Sequence, residues 1–370
     1  MNKYRLLAKK GEGTFSEVLK AQNIKTGRYV AMKCMKNTFD SIEQVNNLRE
    51  VQALRRLAGH PHIIKLIEVL YDEPSGRLAL VFELADMNLY EAIRGRRHYL
   101  PEAKVAKWMY QLLLAVNEIH SKGVFHRDLK LENALLIGDE CLKLADLGSC
   151  KGIYSRQPYT EYISTRWYRA PECLLTDGYY SYKMDIWGVG CVFFELMTLV
   201  PLFPGSDELD QINKIHNVLG TPPVEVLDMF KKQSSHMDFN FPSKKGTGLE
   251  NLLSHGSKEL ISLLENFLAY NPEDRLSARH ALKHPYFAQI KAEYEENRPL
   301  PPPVNDTELH GNSQTSILPP VSSKIECRLP PIVKKPTLAA KLPSSFASLK
   351  KHNTLFSNSH NVSLAHAIQH

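Results

Sequence analysis

The chain has 370 residues and a formal net charge of +6, and this length allows a large hydrophobic core without disulfide bonds. Its six cysteines are scattered, with no CxxC pair and no paired histidines at ligand spacing, so we expect a reducing compartment, no disulfide framework and no zinc site. The N-terminal segment lacks the apolar core of a signal peptide, and the small net charge argues against strong nucleic-acid binding.

The first 82 residues are predicted to form a small strand-rich lobe with one helix. Strand patterns occur in YRLLAKK, EVLKAQN, RYVAMKCM, IKLIEVLYD and RLALVFEL, with turns at NIKTG and EPSG. Between the third and fourth strands, SIEQVNNLREVQALRRL has the periodicity of an amphipathic helix. Helical patterns dominate from Leu89 onward, so we expect an α+β protein with two lobes.

The longest apolar run, residues 186–203, is predicted to be a buried helix rather than a membrane span. It is short for a span and carries Glu195 near its middle. The densest basic cluster, RGRRH at residues 94–98, is interpreted as a solvated loop before a helix that begins near Leu100.

Residues 291–370 are predicted to form a mostly disordered tail. Ten of the 22 prolines fall there among serine and asparagine runs, and the segment has little apolar periodicity. No acidic residue follows Glu326, although lysines and arginines do. This charge pattern fits an interaction or address segment, and a solvated linker fits it equally well.

The segment GEGTFSEV, residues 11–18, is a glycine-rich loop, which by itself is a weak signal for nucleotide binding. A strand, a turn and a further strand follow it, whereas a dinucleotide fold would require a helix. The loop is therefore expected to close a hairpin over phosphates. Lys33 on the third strand could meet an α- or β-phosphate, and Glu50 on the next helix could hold that lysine in place.

The segment FHRDLKLEN, residues 125–133, is the most specific chemical signal in the chain. Asp128 could accept a proton from a substrate hydroxyl, Lys130 could neutralise a moving phosphate, and Asn133 could bind a metal ion. A solvated charge cluster is the alternative. The following segment CLKLADLGS disfavours it, because Asp146 then ends a strand where a second Mg²⁺ ligand would be expected.

In this order, GEGTFSEV, VAMK, HRDLKLEN, DLG and APE resemble the signature of a eukaryotic protein kinase, across residues 4–287. TEY followed by TRWYRAPE is similar to the CMGC group, and within it to the MAP-kinase-like enzymes. The resemblance implies a bilobal protein kinase fold, with an N-lobe near residues 4–82, a hinge near 83–88 and a C-lobe near 89–287. It also implies transfer of the ATP γ-phosphate to serine or threonine, with proline after the acceptor.

Three residues depart from the kinase pattern: Ser16 replaces a glycine, Leu131 a proline and Leu147 a phenylalanine. These changes affect packing more than charge. They motivate the alternative of a pseudokinase scaffold, which binds partners without transferring phosphate. The presence of the charged residues argues against that alternative; these residues are Lys33, Glu50, Asp128, Asn133 and Asp146.

The resemblance assigns roles to individual residues: Asp128 and Lys130 are implied to be catalytic, and Asn133 and Asp146 to hold Mg²⁺. Phe82 corresponds to the gatekeeper behind the adenine, Glu83 and Ala85 to the hinge, and Leu135 to the floor of the pocket. The implied ATP site comprises Lys10, Gly11, Glu12, Gly13, Thr14, Phe15, Ser16, Glu17, Val18, Ala31, Lys33, Glu50, Phe82, Glu83, Ala85 and Leu135. Arg275 is expected to pair with Glu172 in the larger lobe.

The consecutive residues Thr160, Glu161 and Tyr162 lie between DLG and APE. We expect the hydroxyls of Thr160 and Tyr162 to be phosphorylated. Each phosphate adds about −1.5 to −2 charges and needs nearby cations. The resemblance implies that Arg49, Arg127 and Lys151 surround a phosphate on Thr160, and that Arg166 and Arg169 receive one on Tyr162. An ordinary surface loop with incidental hydroxyls is the alternative.

The resemblance also implies protein substrates, a monomeric enzyme, and modification of the TEY segment by an upstream kinase or by the protein itself. We expect no nucleic-acid partner, because the basic tail lacks interleaved aromatic residues. The cytoplasm is the expected location, and the sequence leaves open whether the nucleus or the cilium is a further one.

Overall fold

The computed structural model describes residues 3–160 and 166–296. Its N-terminal part is an antiparallel sheet of five strands in the order β1-β2-β3-β5-β4. The strands are β1 Tyr4–Glu12, β2 Ser16–Asn23, β3 Tyr29–Met35, β4 Leu66–Asp72 and β5 Arg77–Glu83. The five strand patterns of the sequence are therefore confirmed.

Strand β5 shows why this sheet is apolar throughout. Ala79 and Val81 pack into the core on one face, whereas Leu78, Leu80 and Phe82 pack into the core on the other. Successive side chains on a strand point to opposite faces, so a continuous apolar run is buried on both. Helix α2, Arg49–Arg56, packs into the core that contains Leu78, Leu80 and Phe82.

The predicted single helix at residues 41–57 is wrong in one respect, because it is two helices. Helix α1 runs from Ile42 to Asn46 and α2 begins at Arg49, with Leu48 in an extended conformation between them. Asparagine is a poor helix former, and two asparagines precede this break. The break places Glu50 in the first turn of α2, where a helix favours an acidic residue.

The C-terminal part is mainly helical, as predicted. Its longest helices, α4 and α6, pack against one another. The helices after α2 are α3 Leu89–Ile93, α4 Glu102–Ser121, α5 Pro171–Leu175, α6 Lys183–Thr198, α7 Glu208–Leu219, α8 Val224–Lys231, α9 Lys258–Phe267, α10 Ala278–Ala281 and α11 Ala288–Glu296. Helix α11 extends past residue 291, where the sequence predicts the tail to begin; residues 297–370 lie outside the described residues.

Helix α6 contains most of the apolar run at residues 186–203 and is buried on nearly every side, as predicted. Among the described residues, no helix combines the length and apolarity needed to cross a membrane.

Short strands between the two parts position the polar segments identified in the sequence. Strand β7 precedes the HRD segment, β8 follows it, β9 precedes the DLG segment and β10 follows that segment. These strands and the remaining short strand are β6 Met87–Asn88, β7 Val124–Phe125, β8 Ala134–Ile137, β9 Cys141–Leu144 and β10 Lys151–Gly152. Pairing of β8 with β9 and of β7 with β10 brings HRD and DLG together. The predicted α+β class with two lobes is confirmed.

Candidate active site

The segment around Asp128 is held by a buried carboxylate on another helix. Asp185, in the first turn of α6, accepts hydrogen bonds from the backbone N–H groups of His126 and Arg127, both at 2.8 Å. His120 lies 2.8 Å from the same carboxylate. Burial opposes ionisation, but the hydrogen bond to His120 keeps the pKa of Asp185 below its ordinary value.

This anchoring by Asp185 stabilises an unusual backbone conformation. Arg127 has a φ of 72°, in the left-handed region that non-glycine residues rarely occupy. The role of Asp185 was not predicted from the sequence. An acidic residue at the start of an otherwise apolar buried helix is the signal that could have indicated it.

The two carboxylate oxygens of Asp128 differ in their hydrogen bonds. Its Oδ2 atom accepts from Lys130 Nζ at 3.0 Å and from Asn133 Nδ2 at 3.0 Å. Its Oδ1 atom is buried without a hydrogen-bond partner among the described residues. A buried acceptor of this kind is costly unless something occupies it. It could accept the proton of a bound hydroxyl.

Asn133 and Asp146 provide hard oxygen donors. The Nδ2 atom of Asn133 is used by Asp128, so its amide oxygen is left available as a ligand. Asp146 lies in the left-handed region at φ 60°, with Oδ1 accepting from Lys33 at 2.9 Å. Mg²⁺ usually takes one or two protein oxygens and completes its shell with water and phosphate, so these donors fit it. In the described part of the chain, no cluster of three His, Cys, Asp or Glu side chains could hold a metal alone.

Lys33 lies between two carboxylates, and the predicted contact with Glu50 is present. Its Nζ atom is 2.7 Å from Glu50 Oε1 and 2.9 Å from Asp146 Oδ1. Burial lowers the pKa of Lys33, but the charges of Glu50 and Asp146 raise it by more. The pKa of Lys33 is therefore above its ordinary value, and the lysine is cationic. Burial raises the pKa of Glu50, and the charge of Lys33 opposes that effect.

Gly148 lies against all three of these side chains. A Cβ atom there would lie 3.2 Å from Asp146 Oδ1, 3.5 Å from Glu50 Oε2 and 3.6 Å from Lys33 Nζ. A side chain at this position would therefore crowd the carboxylate of Asp146, whereas its distances to Glu50 and Lys33 would be those of ordinary contact.

The residues of the predicted ATP site line the N-terminal sheet and its junction with β8. Lys10, Gly11 and Glu12 end β1; Gly13, Thr14 and Phe15 form the turn; Ser16, Glu17 and Val18 begin β2; Ala31 and Lys33 lie on β3, Glu50 on α2, Phe82 and Glu83 on β5, Ala85 after it, and Leu135 on β8. Gly13 N donates to Ser16 O at 2.8 Å and closes the turn. Ala31 and Phe82 are paired on neighbouring strands.

Glu83, at the start of the hinge, is held by contacts with two lysines. The carboxylate of Glu83 accepts from Lys143 Nζ at 2.9 Å, and its backbone N–H donates to Lys65 O at 3.1 Å. Glu83 also pairs with Val30 across the β3–β5 ladder, and the use of the backbone groups of Glu83 and Ala85 by a nucleotide base stays a prediction.

The three departures from the kinase pattern are accommodated by the fold. Leu131 and Leu147 have 0% and 1% of their surface exposed and belong to the main core. Ser16 pairs with Met35 across the β2–β3 ladder, and its carbonyl closes the loop turn. None of the three substitutions removes a charged group from the site.

Arg49, Arg127 and Lys151 are brought close together from three segments. Burial lowers the pKa of Lys151, and the positive charges of Arg127 and Arg49 lower it further. Lys151 Nζ lies 4.2 Å from the ring centroid of Tyr159. Three cations that repel one another provide a place for an anion of high charge.

A hydrogen-bonded chain links this cluster to Thr160. Arg127 Nη1 donates to the hydroxyl of Tyr180 at 3.0 Å, and that hydroxyl donates to the carbonyl of Thr160 at 2.7 Å. The side chain of Thr160 is exposed. The backbone of Thr160 is therefore connected, through Tyr180, to the residue that precedes Asp128.

The other two predicted phosphate ligands, Arg166 and Arg169, contact the start of α7. Arg166 Nη1 donates to Ser206 O at 3.0 Å, and Arg169 Nη1 is 3.6 Å from Glu208 Oε1. Glu161 and Tyr162 lie outside the described residues, so the pairing of these arginines with Tyr162 stays a prediction.

The predicted pairing of Arg275 with Glu172 is confirmed. Two parallel hydrogen bonds of 2.6 Å join the guanidinium to the carboxylate, and both groups are buried. Arg275 Nε also donates to Ala269 O at 2.7 Å. The pair fixes the APE segment to the C-terminal helices, as bidentate geometry favours.

Comparison with known proteins gives one family. The model of the protein kinase domain matches residues 4–287. The MAPK/MAK/MRK overlapping kinases of Homo sapiens and Mus musculus are each 58% identical, over 78% and 79% of this chain and 68% and 69% of their own. The serine/threonine-protein kinase ICK of Mus musculus is 44% identical over 78% of this chain, which spans 45% of that longer protein.

Proposed function

The chain belongs to the protein kinase family and is a serine/threonine kinase, and we propose that it is proline-directed and activated by phosphorylation of Thr160 and Tyr162. The unpartnered Oδ1 atom of Asp128 is the observation that carries the catalytic assignment. It is buried, it belongs to a fixed carboxylate, and it lies beside groups suited to hold phosphate and a metal ion.

In the proposed reaction the oxygen of the substrate hydroxyl bonds to the γ-phosphorus of ATP, and ADP leaves. Asp128 Oδ1 accepts the proton of that hydroxyl. Lys130 offsets the negative charge that develops on the transferred phosphoryl group. Lys33 holds the α- and β-phosphates, with Glu50 keeping its ammonium in place. A bound Mg²⁺, held by Asn133 and Asp146, would supply charge neutralisation at the phosphates.

Proline direction is supported by the resemblance of TRWYRAPE to the CMGC group. Residues 166–172 of this segment are described, and they are anchored at two points. Trp167 Nε1 donates to Gly205 O at 3.1 Å, and the hydroxyl of Tyr168 donates to Glu195 Oε2 at 2.8 Å. A segment held in this way could present a fixed surface to the residue after the acceptor.

Activation by phosphate is supported by the three cations and by the link from Thr160 to Arg127. Charge-assisted hydrogen bonds to a phosphate on Thr160 would remove the repulsion among Arg49, Arg127 and Lys151. Because Arg49 adjoins Glu50 and Arg127 adjoins Asp128, this would stabilise both parts of the site.

Phosphoryl transfer from labelled ATP to a basic protein substrate tests the proposal. Wild type is assayed before and after phosphatase treatment, beside a Thr160→Ala, Tyr162→Phe double variant and a Lys33→Met variant. We expect phosphatase treatment and the double substitution to reduce turnover strongly without unfolding, and Lys33→Met to abolish it. Equal activity of treated, untreated and doubly substituted protein would refute the switch, and an inactive wild type would favour a scaffold.

A further inference from the structure

Helix α11 lies beyond the residues that match the kinase domain, yet it packs onto that domain. It begins at Ala288, immediately after the matched range of residues 4–287. The ring of Tyr294 lies 5.7 Å from that of Tyr110 on α4 and 5.8 Å from that of His62. Glu293 is 3.8 Å from Lys107, also on α4.

His62 occupies the joint between two elements of the active site. It follows α2, which carries Glu50, and its backbone carbonyl accepts from Leu144 N at 2.9 Å. Its ring Nδ1 is 2.9 Å from the carbonyl of Leu142. Leu142 and Leu144 belong to β9, which leads directly to Asp146.

The contact between His62 and Tyr294 has a defined direction. A carbonyl can only accept, so Nδ1 of His62 carries the hydrogen that bonds Leu142, and Nε2 is an acceptor in the neutral ring. Tyr294 Oη lies 2.9 Å from Nε2 and therefore donates to it. Burial lowers the pKa of His62, with smaller contributions from His60 and Lys143, so the neutral form prevails near neutral pH.

We propose, on the basis of the proposed function, that α11 is part of the catalytic unit and that Tyr294 is a positioning residue for the active site. By holding His62, Tyr294 fixes β9 relative to α2. That relation sets whether Lys33 can contact Glu50 and Asp146 at once. The bond therefore favours the arrangement in which the charged site is complete.

The effect of losing the hydroxyl follows from the worth of one partly buried hydrogen bond. The site is complete when Lys33 contacts both Glu50 and Asp146. If the whole free energy of the bond shifts the equilibrium toward that arrangement, its loss lowers kcat/KM by about 2- to 10-fold. A bond with a purely structural role would instead lower Tm and leave kcat/KM unchanged at temperatures well below Tm.

The test compares full-length Tyr294→Phe with Tyr99→Phe, which removes a hydroxyl from an exposed ring that stacks on His255. Steady-state kinetics and Tm are measured together with amide hydrogen exchange of Ile64 and Leu144, whose N–H groups bond across the joint. We expect Tyr294→Phe to lower kcat/KM and speed exchange at both amides, whereas Tyr99→Phe changes neither.

A double-mutant cycle with His62→Leu, which removes the acceptor, adds a second readout. If Tyr294 acts through His62, Tyr294→Phe has little further effect once His62 is replaced. Unchanged kcat/KM and exchange in Tyr294→Phe, or full additivity in the cycle, would overturn the proposal. Amide hydrogen exchange and the double-mutant cycle on Tm can be measured on a protein that does not turn over. Failure of the proposed function would therefore be distinguished from failure of this proposal.

Discussion

Glu50→Gln is the substitution that most directly tests whether the buried charge cluster works as a catalytic unit. At 2.7 Å and an effective dielectric constant of about 20, the attraction between Lys33 and Glu50 is roughly 6 kcal/mol before desolvation. Removing one partner of a buried pair costs about 3 to 5 kcal/mol net. Glutamine can still accept a hydrogen bond, and Asp146 still pairs with Lys33, so the lower value of about 3 kcal/mol applies.

If this loss falls on the arrangement that binds ATP phosphates, kcat/KM for ATP decreases about 100-fold. The assay is phosphoryl transfer from labelled ATP across a range of ATP concentrations, with Tm measured on the same preparations. Glu68→Gln is the matched control, because Glu68 lies on β4 of the same sheet as Lys33 and pairs with Lys3 instead of with the charge cluster. The control should retain nearly all activity.

Two results would refute this reasoning. Activity of Glu50→Gln within about threefold of wild type would show that the charge of Glu50 is dispensable for phosphate binding. A loss of activity that disappears when the assay is run well below the Tm of the variant would show that the pair is structural only.

Asp128→Asn should lower turnover by at least about 100-fold while nucleotide binding persists, because in the proposed reaction Asp128 contacts the substrate hydroxyl and not the nucleotide; near-normal turnover would remove it from the mechanism. Burial raises the pKa of Glu195 from 4.5 to about 7. The folded protein should then lose about 3 kcal/mol of stability between those pH values as the unfolded chain ionises first, and no more above them. Glu195→Gln, which can still accept from Tyr168, should raise Tm relative to wild type at pH 8 but not at pH 4.5, and an equal change at both would contradict the assignment. Residues 291–370 contain no Ser-Pro or Thr-Pro step, so a proline-directed enzyme should not favour them on autophosphorylation, and mass spectrometry that finds heavy labelling there would contradict proline direction.

The local chemistry of the site could be predicted because its residues are close in sequence. Asp128, Lys130 and Asn133 share one short loop, and their side chains meet within it. The pairing of Lys33 with Glu50 required one further inference, that a strand residue and the next helix face each other. Order along the chain was sufficient for that.

The boundaries of the helix that carries Glu50 could not be predicted in the same way. The apolar periodicity continues through residues 41–57, whereas the backbone breaks at Leu48. Periodicity reports which face of a segment is buried, and two short helices in series can bury the same face as one long helix. The two asparagines before the break are a weak local signal, and only the folded structure shows where each helix ends.

Motif residues and strand or helix periods are local properties of the chain, so the family, the two-lobed class and the identity of the charged groups could be predicted from them. The way in which distant groups support that site follows from the packing of the folded chain. Asp185 holds the backbone of His126 from 59 residues away, and Tyr294 reaches His62 across 232 residues. Such contacts form because burying the apolar faces of whole helices fixes their relative positions, and no local pattern in the chain encodes that arrangement.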